Sequence, residues 1–385
     1  MIATKPLCVV LVIDDLEYGG AQRQVVELAN NMNPDQFDVH VCTLSDYVPL
    51  GGQLRDSEYR LHIIRKRNRI DFTVVPRLTR LLKSLKADVV QSYLFSADIA
   101  SRLAGRLAGT KLVLGSERNA NYSPGWKQVL AYQLTRRCVD LTIANSRAGA
   151  EFNSRMFGQP ACNYRVVYNG VDIDRFRPRD KNAMRSRLGI PASTPVVGVF
   201  ASFKPQKDHS MLLHAFRKVL DCRPDARLLL VGGQLHGNMN GTSEYRATME
   251  HLIGELQMRP NCTFLGNRND VEQIYPACDV TALSSLYEGT PNALLESMAC
   301  GVPVVATNVS DNSHIVKQGE TGFLVQVGDV EGMAGHMKML LTSNSANHTM
   351  GQKARNWVVE RFSIAQLVTS TENVYLEALD RKRCR

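Results

Sequence analysis

Short apolar runs alternate with segments of helical period along most of the chain. Leu7–Ile13, Asp38–Leu44, Asp88–Ser92, Lys111–Gly115 and Asp140–Asn145 are rich in Val, Leu and Ile and read as buried strands. Between them, Ala21–Met32, Pro76–Lys86 and Ala97–Ala108 carry apolar residues at helical spacing. Strand, helix, strand in this order predicts a parallel, doubly wound sheet. Residues 169–195 break the pattern. Asn169-Gly170-Val171-Asp172 reads as a turn and Pro178-Arg179-Asp180-Lys181 is polar, so this stretch is expected to be a linker. The alternation then restarts with strands at Val196–Ala201, Arg227–Val231, Cys262–Leu265 and Asp279–Leu283. Helices are expected at Asp208–Leu220 and Ser243–Gln257, and a last one at Ser363–Leu379. Two similar α/β units follow, with ligands expected at the carboxyl ends of the strands.

Residues 284–307 concentrate the candidate chemistry. Thr290 suits a helix N-cap and Pro291 the first helical position; Gly301 ends the helix and Pro303–Ala306 is a covered strand. A helix start offers unpaired N–H groups and the positive end of a dipole, which suits a phosphate. Glu288 before the helix and Glu296 within it can accept hydrogen bonds from sugar or ribose hydroxyls. Alone, each glutamate reads as a solvated side chain. The run Tyr-Glu-Gly-Thr-Pro-Asn-Ala-Leu-Leu-Glu-Ser-Met-Ala-Cys-Gly-Val-Pro-Val-Val-Ala-Thr resembles the Glu-x7-Glu signature of the retaining, GT-B glycosyltransferases of the family 4 group.

The resemblance implies a GT-B fold: an acceptor-binding Rossmann-like domain over 1–185, a nucleotide-sugar domain over 186–362 facing it across a crevice, and a C-terminal helix, 363–385, crossing back to the first domain. Catalytic roles fall on Glu288, which orients the donor sugar, and Lys207, on the diphosphate. Donor contacts fall on Gly20, Asn267, Arg268, Gly289, Thr290, Pro291, Asn292, Leu295 and Glu296, the last toward the ribose. Where the family has a second phosphate-binding Arg, this chain has Ser202, with Lys204 two residues on as the alternative cation. Gly19, Tyr93, Arg118 and Asn119 are the expected acceptor contacts; the only histidines before the linker, His40 and His62, are not placed for chemistry. No metal or other cofactor is implied, and Asp172-Ile173-Asp174 falls in the linker rather than at a metal.

The implied reaction moves a sugar from a nucleoside diphosphate to a hydroxyl of a growing glycan or lipid-linked acceptor, in cell-surface polysaccharide biosynthesis. A GT-B sugar-nucleotide epimerase would need a crevice His that is missing here. A phosphorylase would need a pyridoxal-phosphate lysine motif. A non-enzymatic carbohydrate-binding protein would not need the intact Glu pair and Lys207.

Length and composition agree with this. The chain has 385 residues, 44% of them hydrophobic, enough for two well-buried cores. Nine cysteines show no paired spacing, and Cys8, Cys42 and Cys278 sit in apolar runs, as reduced core residues of a cytoplasmic protein would. The start reads as a first core strand rather than a secretion leader, so Asn-x-Ser/Thr sites such as those at Asn121, Asn261, Asn308 and Asn347 carry no meaning. No run approaches the ~18 apolar residues of a membrane span. The net charge is +9, and residues 60–86 hold nine of the cations, Arg60, Arg65, Lys66, Arg67, Arg69, Arg77, Arg80, Lys83 and Lys86, against one acid, Asp71. No nucleic-acid motif accompanies them. An anionic membrane surface is the expected partner, with peripheral attachment at the cytoplasmic face.

Overall fold

The computed structural model describes residues 5–68, 71–120, 122–233 and 242–383; Arg69 and Asn121 lie outside them. The chain divides into two units, Met1–Gly170 with Ile364–Arg385, and Val171–Ser363. The first contains β1 (Leu7–Ile13), β2 (Phe37–Thr43), β3 (Leu61–Ile63), β4 (Val89–Tyr93), β5 (Leu112–Glu117), β6 (Leu141–Ala144) and β7 (Tyr164–Val166). The second contains β8 (Val196–Phe200), β9 (Arg227–Val231), β10 (Cys262–Gly266), β11 (Val280–Leu283), β12 (Val304–Thr307) and β13 (Gly322–Val325). Helices of the first unit are α1 (Gly20–Asn31), α2 (Ser57–Arg60), α3 (Val74–Leu85), α4 (Phe95–Ala108), α5 (Trp126–Thr135) and α6 (Arg147–Phe157). Those that follow are α7 (Lys181–Arg187), α8 (His209–Leu220), α9 (Thr242–Glu255), α10 (Val271–Ile274), α11 (Asn292–Ala299), α12 (Asn312–Ile315), α13 (Val330–Thr342), α14 (Asn344–Arg361) and α15 (Ile364–Arg383).

Both sheets are parallel throughout, in the orders β3-β2-β1-β4-β5-β6-β7 and β10-β9-β8-β11-β12-β13. The unbroken apolar runs follow from this, because helices cover both faces. In β1, Val9, Leu11 and Ile13 pack with Val25 and Leu28 of α1 and with Tyr375 of α15. Cys8, Val10 and Val12 point the other way, against Leu78 and Leu82 of α3 and Ala100 and Ala104 of α4. The leucines of α3 therefore serve the core, while Lys83 and Lys86 are exposed.

The last helix joins the first unit, as the resemblance implied. The Tyr375 hydroxyl donates to Gln91 Oε1, its ring meets Phe37 edge-on at 6.2 Å, and Glu372 Oε1 accepts from Asn33 N at 2.8 Å. The expected boundary at 185 is displaced: the chain leaves the first unit at Gly170. Residues 169–195 are not a free linker either, since α7 belongs to the second unit. Arg185 is the reason. It is fully buried, donating to the Ala192 and Ala277 carbonyls and to Asp279 Oδ2 at 2.6, 2.9 and 2.8 Å, and the same Asp279 oxygen accepts from Val196 N at the start of β8. A polar string thus hides a core residue. All eight cysteines among the described residues are free thiols.

Without Arg185, Asp279 would keep only the half-exposed Lys181, 3.5 Å away, as a counter-charge. Arg185→Ala is expected to cost about 3 kcal/mol of stability, read from chemical denaturation of the variant beside the wild type.

Candidate active site

In the second sheet, β8 and β11 are the neighbours at which strand order reverses, so the loops after them leave toward different helices. These loops hold each other. The Ser284 hydroxyl lies 2.8 Å from the carbonyl oxygens of both Lys207 and Asp208, Leu286 N donates to Gln206 O at 2.8 Å, and Gln206 Nε2 donates to Tyr287 O at 2.7 Å. The clamp sets Lys207 against Glu288 in an ion pair, with both side chains largely buried. Ser285 Oγ donates to the same carboxylate oxygen, Oε1, at 2.6 Å. Among the described residues Oε2 receives no hydrogen bond. Ser310 fixes the backbone of Glu288 from both sides: its hydroxyl donates to Glu288 O at 2.6 Å and accepts from Glu288 N at 3.2 Å. Ser310 has φ of 49°, a left-handed conformation that a non-glycine residue holds at a cost and that gathers at functional sites.

Lys204 is half-buried in the same loop. Burial, and then the charge of Lys207, push its ammonium down to about 8, with Glu288 acting in the opposite direction. Lys204 therefore shares the electrostatic environment of Lys207 and Glu288. Ser202 is half-buried beside Gly232, where a Cβ would stand 2.2 Å from Ala201 O and 3.2 Å from Ser202 N. That glycine, at φ of 137°, lets the ends of β8 and β9 approach closely.

Helix α11 begins at Asn292, with Pro291 as its cap at ψ of 115°; the start is one residue later than the sequence suggests, because Pro291 keeps an extended conformation. Gly289, Thr290 and Pro291 are buried and carry the chain from Glu288 into the helix. Gly301, at φ of 73°, closes the far end. Leu295 is completely buried. Glu296 is held by the buried Tyr275, whose hydroxyl donates to Oε2 at 2.8 Å and whose ring stacks on Phe200 at 3.6 Å. After β10, the Arg268 guanidinium grips Asp270 with two hydrogen bonds of 2.8 and 2.7 Å. Asn267 is exposed and its amide lies against Gly233, 2.7 Å from where a Cβ would be.

The first unit has its own reversal, between β1 and β4. After β1, Asp14 Oδ1 accepts from Ala97 N of α4 at 2.9 Å, and burial pushes this carboxyl up to about 6. Asp15 Oδ1 accepts from Glu17 N and from Gln22 Nε2 at 3.0 and 2.8 Å. Gly19 caps α1 and Gly20 opens it. Tyr93, at the end of β4, is 1% exposed; the Arg118 guanidinium covers its ring at 4.5 Å and donates to Asn169 Oδ1 at 3.1 Å. Tyr93 thus supports Arg118 from beneath instead of reaching the surface. Asn119 is exposed. Its N–H and that of Arg118 both donate to Glu117 Oε1, at 3.0 and 2.8 Å, and burial still pushes Glu117 up to about 7.

Sequence reasoning did not single out Ser285, Ser310, Tyr275, Asp14 or Glu117 as site residues. Ser285 lies inside the stretch 284–307 already singled out. Ser310 carries no sequence signal, because its left-handed φ is usually a glycine or asparagine position. His209 is a further case. It is stacked on Phe203 at 4.6 Å, burial pushes it down to about 3, and among the described residues neither ring nitrogen has a hydrogen-bond partner. Among the described residues no three His, Cys, Asp or Glu side chains gather into a metal cage. Asp172 Oδ1 instead accepts from the N–H groups of Asp174 and Arg175, at 3.1 and 2.9 Å, forming a turn.

A family model described as Glycosyl transferases group 1 matches residues 180–357, and one described as Glycosyltransferase Family 4 matches residues 18–175. The chain is 25% identical over 382 residues to the Escherichia coli UDP-Gal:alpha-D-GlcNAc-diphosphoundecaprenol alpha-1,3-galactosyltransferase, covering 94% of this chain and 95% of that protein. It is 30% identical over 291 residues to the N-acetyl-alpha-D-glucosaminyl L-malate synthase of Bacillus anthracis, covering 75% and 71%. Among solved structures, Anabaena Alr3699/HepE in complex with UDP-glucose superposes with a TM-score of 0.85 at 22% identity, covering 96% of this chain and 99% of that one. Two parallel sheets in these strand orders, with both halves matched to family models, have one reading: the chain is a glycosyltransferase of the GT-B fold and belongs to the family 4 type.

Proposed function

We propose that this glycosyltransferase takes its sugar from a nucleoside diphosphate and transfers it with retention of configuration to a hydroxyl of a growing glycan or lipid-linked acceptor. The setting is cell-surface polysaccharide assembly at the cytoplasmic face of a membrane. One observation carries the donor half: two lysines, Lys204 and Lys207, and the start of α11 gather around a buried, oriented Glu288 at the strand-order reversal. The UDP-glucose complex of the Anabaena structure and the diphosphoundecaprenol named for the E. coli relative support the donor and acceptor classes.

In this reading Lys204, Lys207 and the first-turn N–H groups of α11 stabilise the charge that develops on the leaving diphosphate. No metal is needed for that charge. Lys207 and Ser285 hold Glu288 by one oxygen and leave Oε2 to accept from a donor-sugar hydroxyl. Glu296, braced by Tyr275, is assigned to the ribose.

Three outcomes test the proposal. Glu288→Gln keeps the shape but loses the carboxylate charge; its turnover is expected to fall roughly a hundredfold or more while UDP affinity, measured by calorimetry, changes little. Near-normal turnover would remove Glu288 from the reaction. For Lys204, a base with a lowered pKa is charged below about 8 and loses its proton as pH rises through that value. UDP affinity should therefore decline between about pH 7 and pH 9, uridine affinity should not, and Lys204→Ala should abolish the decline while weakening UDP binding at neutral pH by about 1.5–3 kcal/mol. Lastly, EDTA is expected to leave transfer rates unchanged; activity that returns only with added Mg²⁺ or Mn²⁺ would refute the metal-free mechanism.

A further inference from the structure

Three helices, α3, α4 and α5, lie side by side on one face of the first sheet. Leu78 of α3 and Ala100 and Ala104 of α4 share one core cluster with the strands. Tyr132 of α5 packs under the Arg102 guanidinium of α4, 4.8 Å from its centre, and edge-on to Phe95 at 5.5 Å. Helix α5 is thus anchored by its inner face through Tyr132 and Thr135. Its outer face is apolar: Trp126, Leu130 and Leu134 recur at four-residue spacing, with Trp126 72% and Leu134 74% exposed. On the adjacent helix, Leu107 is 62% exposed and Leu103 lies one turn before it. A run of large apolar side chains directed at water is unfavourable for the isolated chain and marks an interaction surface.

The charges around this stripe identify the partner. From Arg118 to Val139 the sequence contains no Asp or Glu, and Lys127, Arg136 and Arg137 are exposed on or beside α5. Helix α3 likewise has no acid, and exposes Arg80 and Lys83, with Lys86 just beyond its end. The one acid on the three helices, Asp98, is buried and paired with Arg102 at 2.9 Å. Arg65, Lys66 and Arg77, in the basic segment, are spent on Asp46, Asp14 and Asp71, whereas Arg80, Lys83, Lys86, Lys127, Arg136 and Arg137 make no ion pair among the described residues. Trp126 adds an indole, a side chain suited to the boundary between lipid headgroups and acyl chains. No helix among the described residues is long and apolar enough to cross a membrane.

We infer that α5 lies in the plane of an anionic bilayer, with Trp126, Leu130 and Leu134 inserted below the headgroups and the cations of α3 and α5 on the lipid phosphates. This deepens the membrane setting proposed above, since it replaces purely electrostatic attachment by insertion of a defined helix. Such a surface would hold the first unit where a lipid-linked acceptor is found.

The chain has two tryptophans, so Trp357→Phe leaves Trp126 as the sole reporter. With vesicles of phosphatidylglycerol and phosphatidylcholine, the emission of Trp126 should shift to the blue and be quenched by lipids brominated on their acyl chains. Neutral vesicles and high salt should weaken both effects. Leu130→Ser combined with Leu134→Ser, both at exposed positions, should lower the vesicle affinity by about tenfold or more while transfer to a water-soluble acceptor is unchanged. Salt-sensitive binding to anionic vesicles with Trp126 unshifted and unquenched would overturn insertion and leave the peripheral reading standing. No binding to any vesicle would overturn both. A blue shift that grows with protein concentration in the absence of lipid would assign the stripe to a second copy of the chain and overturn the lipid assignment.

Discussion

Parallel strands can be linked only by crossovers, each of which returns over one face of the sheet. In an open sheet covered by helices on both faces, right-handed crossovers require the order to reverse somewhere, and there two neighbouring loops part without a helix between them. In the second unit that place is the border of β8 and β11, and the loops themselves have to satisfy the polar groups they expose. Ser284, Gln206 and Leu286 do this with three donors, the single Ser284 proton lying between two carbonyl oxygens. Those bonds set Lys207 against Glu288, whose backbone and carboxylate Ser310 and Ser285 then hold. The first unit solves the same problem with one carboxylate, Asp14, which reaches from the end of β1 to Ala97 of α4.

The electrostatics of the two reversals differ in a telling way. In the second unit, Glu288 offsets Lys207 directly, and Lys204 is left with burial and a like charge, so its own ammonium is the one that yields. The site is thus short of negative charge before any ligand arrives, the state that favours a phosphate. In the first unit the desolvated groups are mostly acids. Asp14 and Glu117 are both pushed upward by burial, and the N–H groups that hold them only partly restore the charged form.

The strands that pack in the middle of each sheet could be read from the sequence, since burial on both faces writes itself as an unbroken apolar run. β3 and β7 could not, being three-residue edges too short to show a period. Helix α5 escaped for a different reason. Its large apolar residues face outward, so the usual inference from apolar spacing to core packing does not describe it. Helix α7 was hidden because its key residue is an arginine buried among carbonyls, in a stretch whose composition looks like solvent-exposed chain. In the candidate site, Glu288, Glu296 and Lys207 stood out as candidates because they belong to contiguous motifs. Ser310 and Tyr275 act across tens of residues of sequence, through a backbone conformation and a hydroxyl that no local pattern announces.

The return of α15 to the first unit has a temporal meaning. Leu367, Val368, Tyr375 and Leu379 belong to the same core as β1 and α1, yet the ribosome makes them only after the whole of Val171–Ser363. At ordinary synthesis rates that interval is roughly ten to forty seconds. During it, α1 alone covers that face of the first sheet, the part under α15 stands uncovered, and the amide of Gln91 waits without the Tyr375 hydroxyl. The second unit, made from one continuous stretch, can close first. The part of the molecule that is synthesised earliest is therefore the last to be completed.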